Sequence, residues 1–463
     1  MASPLRQLSA CARRLSQWSL NELYSSYPGL RDAFDHLDFE FRERVFSPVV
    51  TFWMFLSQVL SDGASCQEMV AKVLAALWLT EAKQASPENS AYCQARKRLP
   101  EAFLQELAER AAGQLEGQVS PMQLWMGRRV KIVDGSSLSM PDTAANQKTY
   151  PQPKGQKPGC GFPVMRLVVV FSLATGTILR VARGTLWQSE RSMFRSLLEA
   201  LQAGEVLLAD RGFCGFADIY VLMARGVNAV IRLHPNRSAG ARHKKRLGPG
   251  DRLVQWRQSS KKTPAWMERK TWMEMPKSLT LREITYTVPV KGFRSKSITV
   301  VTTLTDPKLF PKKAFVELYR RRWNAELFLR DIKLSLHMDV LRCKTPEMIH
   351  KELWIHIIAY NLIRNLMWQA AQRHQVCAMS LSFKGCLACI RQWAPWMATL
   401  DPSSRRFLTT QELLLKYLAQ QILTHRPNRV EPRARKRRPK NYPLLTQPRK
   451  IFKEIPHRNR YHA

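Results

Sequence analysis

The sequence predicts an α/β protein: a mixed-sheet core with a mostly β insertion, a helical region before it and another after it. Three observations predict this. Short apolar runs of strand length, bounded by Gly, Pro and Ser, recur between residues 129 and 304. Longer stretches with apolar residues at helical spacing fill residues 1–120 and 346–424. Two of the strand-like runs close on an acid, Asp134 and Asp210. At 463 residues the chain can hold two to four domains and a substantial core.

Composition narrows the function. Lys and Arg number 73 against 36 Asp and Glu, a formal charge of +37. Such an excess strains a compact state unless a polyanion is near, so nucleic acid is the default partner. Ribosomal and membrane-surface proteins are basic too, but the length and the apolar runs favour an enzyme-sized globule. No apolar run reaches about 18 residues, so no membrane span is expected. The first 20 residues lack an apolar core segment, so no secretory signal is expected. The nine cysteines are scattered. Cys386 and Cys389 form the one C-x-x-C pair and have no second pair to complete a zinc site, so reduced cytosolic thiols are expected.

The elements follow in order. Residues 1–120 read as helical. Phe46, Val49, Val50, Trp53, Met54 and Leu56 share an apolar face. Ser65 to Glu68 is a capping-box pattern opening a helix through Leu79. Ser86 and Pro87 suit the cap and first turn of the next helix. That helix carries Tyr92, Gln94, Arg96, Lys97 and Arg98 and stops at Pro100. A polar, basic helix after a short turn suits DNA reading, with Arg96 and Arg98 as contacts. A plain bundle with a solvated basic face fits the pattern equally.

Residues 129–138 read as a strand ending at Asp134, with Gly135 and two serines as a turn. An acid at the end of a buried strand must be paired, hydrogen-bonded or metal-bound; an Asp capping its own turn is the alternative. Residues 141–163, with five prolines and three glycines, read as a loop lying over the site. Strands follow at 165–173 and 177–182, a helix at 189–201, and a strand at 205–210 that ends on Asp210 before Arg211. A helix through Ala224 and a strand at 228–233 complete the set. A strand, a hairpin, a helix, a strand, a helix and a strand make the order of an RNase H-like core. Asp142, Asp218 and Asp306 compete for carboxylate roles, and Asp306 is the best rival.

About 116 residues separate Asp210 from Glu326. Residues 235–305 read as an inserted β-rich subdomain, with a basic loop at 237–252 and strand-like runs at 252–257, 280–290 and 297–304. Trp256, Trp266 and Trp272 there read as packing rather than base-stacking residues. Residues 319–333 contain no Gly or Pro and read as one helix. At about 100° per residue, Tyr319, Arg322, Glu326 and Lys333 fall within roughly 60° of each other. Glu326 with Arg322 and Arg330 at i±4 is also an ordinary helix ion-pair pattern. Residues 346–375 read as a buried helix, and 380–424 as further helix. From Arg426 onward there are thirteen Lys or Arg, two Glu and six prolines. That tail should order only on nucleic acid.

The spacing Tyr319-(2)-Arg322-(3)-Glu326-(6)-Lys333 resembles the signature of the bacterial insertion-sequence DDE transposases of the YREK group, the insertion-sequence-four family. The stretch from Tyr92 to Pro100 looks like the same family. The resemblance implies an RNase H-like fold, with a helical DNA-binding domain at 1–120 and a catalytic core at 125–234 and 306–375. It also implies the insertion at 235–305, while the residues themselves give a helical region at 376–425 and a flexible tail at 426–463. It makes Asp134, Asp210 and Glu326 the catalytic acids and ligands of two Mg²⁺ ions, with Mn²⁺ able to substitute. Asp134 would bridge both ions, Asp210 would hold one and Glu326 the other. Tyr319, Arg322, Trp323, Arg330, Lys333 and Arg211 would contact DNA. The implied reaction is cut-and-paste transposition: nicking at terminal inverted repeats, hairpin formation, and strand transfer into target DNA. The implied partners are double-stranded DNA and a second copy of the chain in a synaptic complex, with no membrane, in a bacterial cytoplasm at the nucleoid.

Overall fold

The computed structural model describes residues 45–61, 63–79, 86–234, 242–258, 263–287, 297–397, 400, 404–424, 444–448 and 451. The first 44 residues and nearly all of the basic tail lie outside the described residues.

Three short helices open the described chain: α1 (Pro48–Leu60), α2 (Cys66–Leu79) and α3 (Ser90–Arg98). The Ser47 side chain caps α1 by accepting from the Val50 N–H at 3.4 Å. Ser65 does the same for α2 through the Glu68 N–H at 3.1 Å, and the helix ends at Leu79 as its sequence predicts. The start of α3 differs. Ser86 and Pro87 form a turn before it, and Asn89 is its cap residue. α4 (Glu101–Gly117) then runs beneath the sheet.

Nine strands form one sheet in the order β3-β2-β1-β4-β5-β9-β8-β7-β6. They are β1 (Val130–Ser139), β2 (Val164–Ser172), β3 (Ile178–Thr185), β4 (Val206–Ala209), β5 (Asn228–Arg232), β6 (Arg242–Gly248), β7 (Asp251–Arg257), β8 (Ser278–Thr287) and β9 (Ser297–Thr302). β1, β4 and β5 are parallel to one another; β2 and β3 form an antiparallel hairpin on one side. The central strand β4 is wholly apolar and buried because helices cover both faces of the sheet. α5 (Ala144–Thr149) lies in the Pro-rich connection, and α6 (Glu190–Arg195) and α7 (Phe216–Ala224) join the later core strands. The segment predicted to be helical at 189–201 holds only α6 and one 3-10 turn.

β6 to β9 extend this same sheet, because β9 pairs antiparallel with β5. Part of the predicted basic loop is strand β6. Trp256 and Trp272 are buried, as packing residues should be, and α8 (Arg269–Glu274) carries Trp272 against Phe216 of α7. Trp266 is covered by the Arg195 guanidinium, 3.7 Å from its ring centroid. Arg282 is fully buried on β8 and makes two bonds, 2.8 and 2.6 Å, to Asp251. It also donates to the Phe310 carbonyl at 2.7 Å, tying the extension to the chain entering the next helices.

Those helices are α9 (Lys312–Arg320) and α10 (Trp323–Arg330), then a π turn at Asp331–Ser335. The central helix α11 (Pro346–Arg373) is buried on nearly every side. It packs on α1, α4 and β3, and on α12 (Phe383–Met397) and α13 (Arg405–Ala419). Its Asn361 clamps the backbone of Ile178 with two 2.9 Å bonds. Its Tyr360 hydroxyl donates to the Gly176 carbonyl, and its Arg364 holds Asp331 at 3.0 Å. Core cations also hold the opening helices. Lys351 donates to the Lys97 carbonyl at 2.6 Å and Arg391 to the Leu60 carbonyl at 2.5 Å. Among the described residues, no helix is long and apolar enough to cross a membrane.

Candidate active site

Asp134 does not end its strand. β1 pairs with β2 as far as Ser139, and Gly135 is a strand residue. Only the parallel pairing with β4 stops, after Ile132 and Leu208. The sequence suggested a turn because it cannot show that one neighbour continues where the other leaves. The Asp134 carboxylate accepts from the Gly135 N–H at 2.9 Å. Asp210 does follow the last residue of β4, and it accepts from the Gly212 N–H at 2.7 Å.

Residues 319–333 are not one helix. Arg321 and Arg322 bond three residues back, to Leu318 and Tyr319, so the chain tightens between α9 and α10. It then loosens into the π turn, a local change of winding that is frequent at functional sites. Tertiary ties hold the π turn. Asp331 is fixed by Arg364, and Lys333 reaches β1, 3.2 Å from the Ser136 hydroxyl and 3.0 Å from the Ser137 carbonyl.

Arg322 links two of the acids. One of its nitrogens is 2.6 Å from Glu326, and another is 3.8 Å from Asp134. One guanidinium therefore spans both carboxylates, whose oxygens lie within about 9 Å of each other. Burial pushes the Asp134 carboxyl up to about 6, and the charges of Asp210 and Glu326 push the same way, against Arg322 and the Gly135 N–H. The three acids thus share one electrostatic neighbourhood.

These hard, mutually repelling carboxylate oxygens are the donor type that divalent cations such as Mg²⁺ take. They do not form a ready cage. Among the described residues, no three His, Cys, Asp or Glu side chains are grouped tightly enough to hold a metal ion. Arg322 stands between two of the acids and balances their charge.

The other sequence candidates separate clearly. Trp323, Arg330 and Arg211 are exposed. Tyr319 is buried; its hydroxyl has no hydrogen-bond partner among the described residues, and burial raises its pKa. It faces the site from inside the protein. Arg98 is exposed, but Arg96 is not a surface cation. It is 7% exposed, lies 3.8 Å over the Phe55 ring, and donates to the Cys66 and Cys343 sulfurs at 3.0 Å each. It joins the opening helices to the core, which corrects its reading as a DNA contact. Tyr92, Ala95, Arg96 and Leu99 are all buried and fall on one helical stripe, a spacing that marks Arg96 as inward. Among the rival acids, Asp218 is bound to Arg195 at 2.7 Å and Asp142 accepts from Gln147. Asp306 caps a turn through the Lys308 N–H. Sequence reasoning missed Arg232, the last residue of β5, beside Asp210.

The chain is similar to known proteins over most of its length. The chain is 27% identical over 368 residues to Transposase InsG for insertion sequence element IS4 of Escherichia coli (strain K12), covering 78% of this chain and 79% of that one. A cryo-EM structure of the piggyBac transposase synaptic complex with hairpin DNA aligns with 93% of this chain and 88% of its own. The TM-score is 0.45 and the identity 8%. Residues 125–362 match the family model described as Transposase DDE domain, and that span contains all three acids. The chain belongs to this family of DDE transposases and is an enzyme that cleaves and transesterifies DNA.

Proposed function

We propose that the chain moves an insertion sequence by cut-and-paste transposition, using Asp134, Asp210 and Glu326 as its catalytic acids on an RNase H-like core. The observation that carries this is the single guanidinium of Arg322 held between Asp134 and Glu326, with Asp210 coupled to the same neighbourhood. Two Mg²⁺ ions held by the three acids would activate the attacking hydroxyl and stabilise the leaving oxygen in an in-line displacement at phosphorus.

The chain's own residues bind and orient the DNA. Arg322 has a fork that fits phosphate oxygens, and it can exchange a carboxylate for the phosphodiester. Lys333, held on β1, adds a second fixed cation near the scissile bond. Exposed Arg330 and Arg211 would contact a strand entering the site, and exposed Trp323 would stack on a base. The outer face of α3, with Lys97 and Arg98, is the DNA-reading surface of the opening helices. A freed 3′-hydroxyl would attack the opposite strand to form a hairpin, water would reopen it, and the same hydroxyl would join target DNA. A pair of chains would hold the two ends of the element.

The test uses a labelled duplex carrying the element's end, Mg²⁺, and the Glu326→Gln variant. The wild type should yield nicked, hairpin and joined products on a denaturing gel. The variant should bind the duplex normally and cut at least about a hundredfold more slowly. Cutting without hairpin or joined products would instead identify a nuclease. Undiminished cutting by the variant would remove Glu326 from the site.

A further inference from the structure

Three thiols surround one buried guanidinium where the opening helices meet the core. Arg96 of α3 donates to the sulfur of Cys66, the first residue of α2, and to that of Cys343, ahead of α11, at 3.0 Å each. Gln58 of α1 also reaches the Cys66 sulfur, at 3.7 Å. Cys93 lies one turn before Arg96 on α3, and its thiol donates to Cys66. Burial pushes the Cys93 thiol up, and Cys66 pushes it the same way, so Cys93 is the proton-bearing member of the pair. Cys343 stands apart. It meets the other nitrogen of the guanidinium, and burial, with Glu352 beside it, holds it as a thiol. All three cysteines are free. They line one cavity of about 540 Å³ together with Ser61 and His337. Cys66 and Cys93 are half-buried, so a small solute in that cavity can reach them.

We propose that Cys66 and Cys93 form a modification site, an oxidisable pair that a hydroperoxide converts to a disulfide stapling α2 to α3. The site lies outside the acid cluster and does not depend on the function proposed above. Arg96 sets a fixed cation against the attacking sulfur, the kind of surrounding that makes a cysteine reactive. The Cys66 sulfur, its proton released to solvent, attacks one oxygen of the peroxide. The O–O bond breaks, Cys66 becomes a sulfenic acid, and the departing hydroxide takes up a proton as water. The Cys93 sulfur then attacks the Cys66 sulfur. The S–O bond breaks, and the hydroxyl leaves with the Cys93 proton as a second water. Two thiols give up two electrons, and one peroxide becomes two waters. The guanidinium between Cys343 and Cys66 keeps those two sulfurs apart, which selects Cys93 as the partner. A disulfide sulfur is a weak acceptor, so Arg96 would keep Cys343 and the covalent bond would replace its tie to Cys66.

The experiment compares the full-length wild type with Cys66→Ser, Cys93→Ser and Cys343→Ser, after thermal melts in reductant show which variants are folded. Each is treated with hydrogen peroxide, unfolded in an alkylating agent, and mapped by peptide mass. The Cys66–Cys93 bridge should form at least about tenfold faster than any other pairing, because its two sulfurs start in contact. It should appear in the wild type and in Cys343→Ser, be absent from the other two, and reverse in a dithiol reductant. Oxidation should raise the melting temperature of the wild type by several degrees and leave Cys66→Ser and Cys93→Ser unchanged. Cys66 and Cys93 recovered as free thiols after exposed Cys377 has oxidised would overturn the assignment. So would a bridge from either of them to Cys343. A Cys66–Cys93 bridge that leaves the wild-type melting temperature where it was would overturn the staple. The wild type, reduced and oxidised, carries the test even if a serine variant fails to fold.

Discussion

The candidate site holds Asp134 where its charge is disfavoured, and that predicts a stabilising mutation. Its carboxyl stands at about 6 instead of 3.8, and its side chain is 17% exposed, so solvent screening is limited. A shift of about two units is a penalty of about 3 kcal/mol against the ionised folded form. At pH 3 the group is protonated in folded and unfolded chains alike and contributes nothing. As pH rises from about 4 to 6, the unfolded chain ionises first, so the folded state loses stability; above that window the whole penalty is present. Asp134→Asn keeps an oxygen for the Gly135 N–H and cannot ionise. In chelator, the variant should match the wild type near pH 3.5 and exceed it by about 3 kcal/mol at pH 8, a melting-temperature gap of several degrees. Divalent cation should narrow the gap by stabilising the wild type alone, while cleavage is lost in the variant. A gap of equal size at both pH values, or a less stable variant at pH 8, would refute the argument that burial disfavours the ionised Asp134 carboxylate.

Other outcomes follow from individual contacts. Arg96→Ala should cost about 1–3 kcal/mol in urea unfolding, because it removes the Phe55 stack and the thiol bonds, while leaving the salt slope of DNA binding unchanged. Arg98→Ala should do the reverse: stability within about 0.5 kcal/mol and a slope lower by about 1. Arg282→Met should cost about 3–5 kcal/mol by leaving Asp251 buried and unpaired, read as a lower denaturation midpoint. Gly250 has φ +63°, and a Cβ there would meet the Thr285 carbonyl oxygen at 2.5 Å. Gly250→Ala should therefore destabilise the β6–β7 turn by about 1–3 kcal/mol, measured by thermal melts or hydrogen exchange across β7 and β8.

The legible parts of this chain are those decided by local chemistry. Asp210 could be placed at a strand tip because an apolar run stops at it. The boundaries of α2 followed from Ser65 and the start of α11 from Pro346, whose side chain and ring act on their own helix. What could not be read depends on partners distant in sequence. Nothing in residues 130–139 says that β2 continues beside β1 after β4 has left it. Nothing in 235–305 says that β9 will pair with β5 and extend the sheet. Arg96 is the intermediate case: its charge argued for the surface and its spacing for the interior, and Phe55 with two thiols decided between them.

The break in the Glu326 segment shows where spacing alone misleads about the helix. A straight helix would put Tyr319, Arg322, Glu326 and Lys333 on one face at one radius. The site needs them at different depths. Arg322 must touch Glu326 and approach Asp134, Tyr319 must stay under the rim, and Lys333 must reach past the helix to β1. The tight turn at Arg321–Arg322 and the loosened turn at Asp331–Ser335 supply those offsets. The second is secured by contacts from elsewhere, Arg364 on Asp331 and β1 on Lys333. A spacing of two, three and six residues specifies which side chains face the acids; the uneven winding sets how far each one reaches.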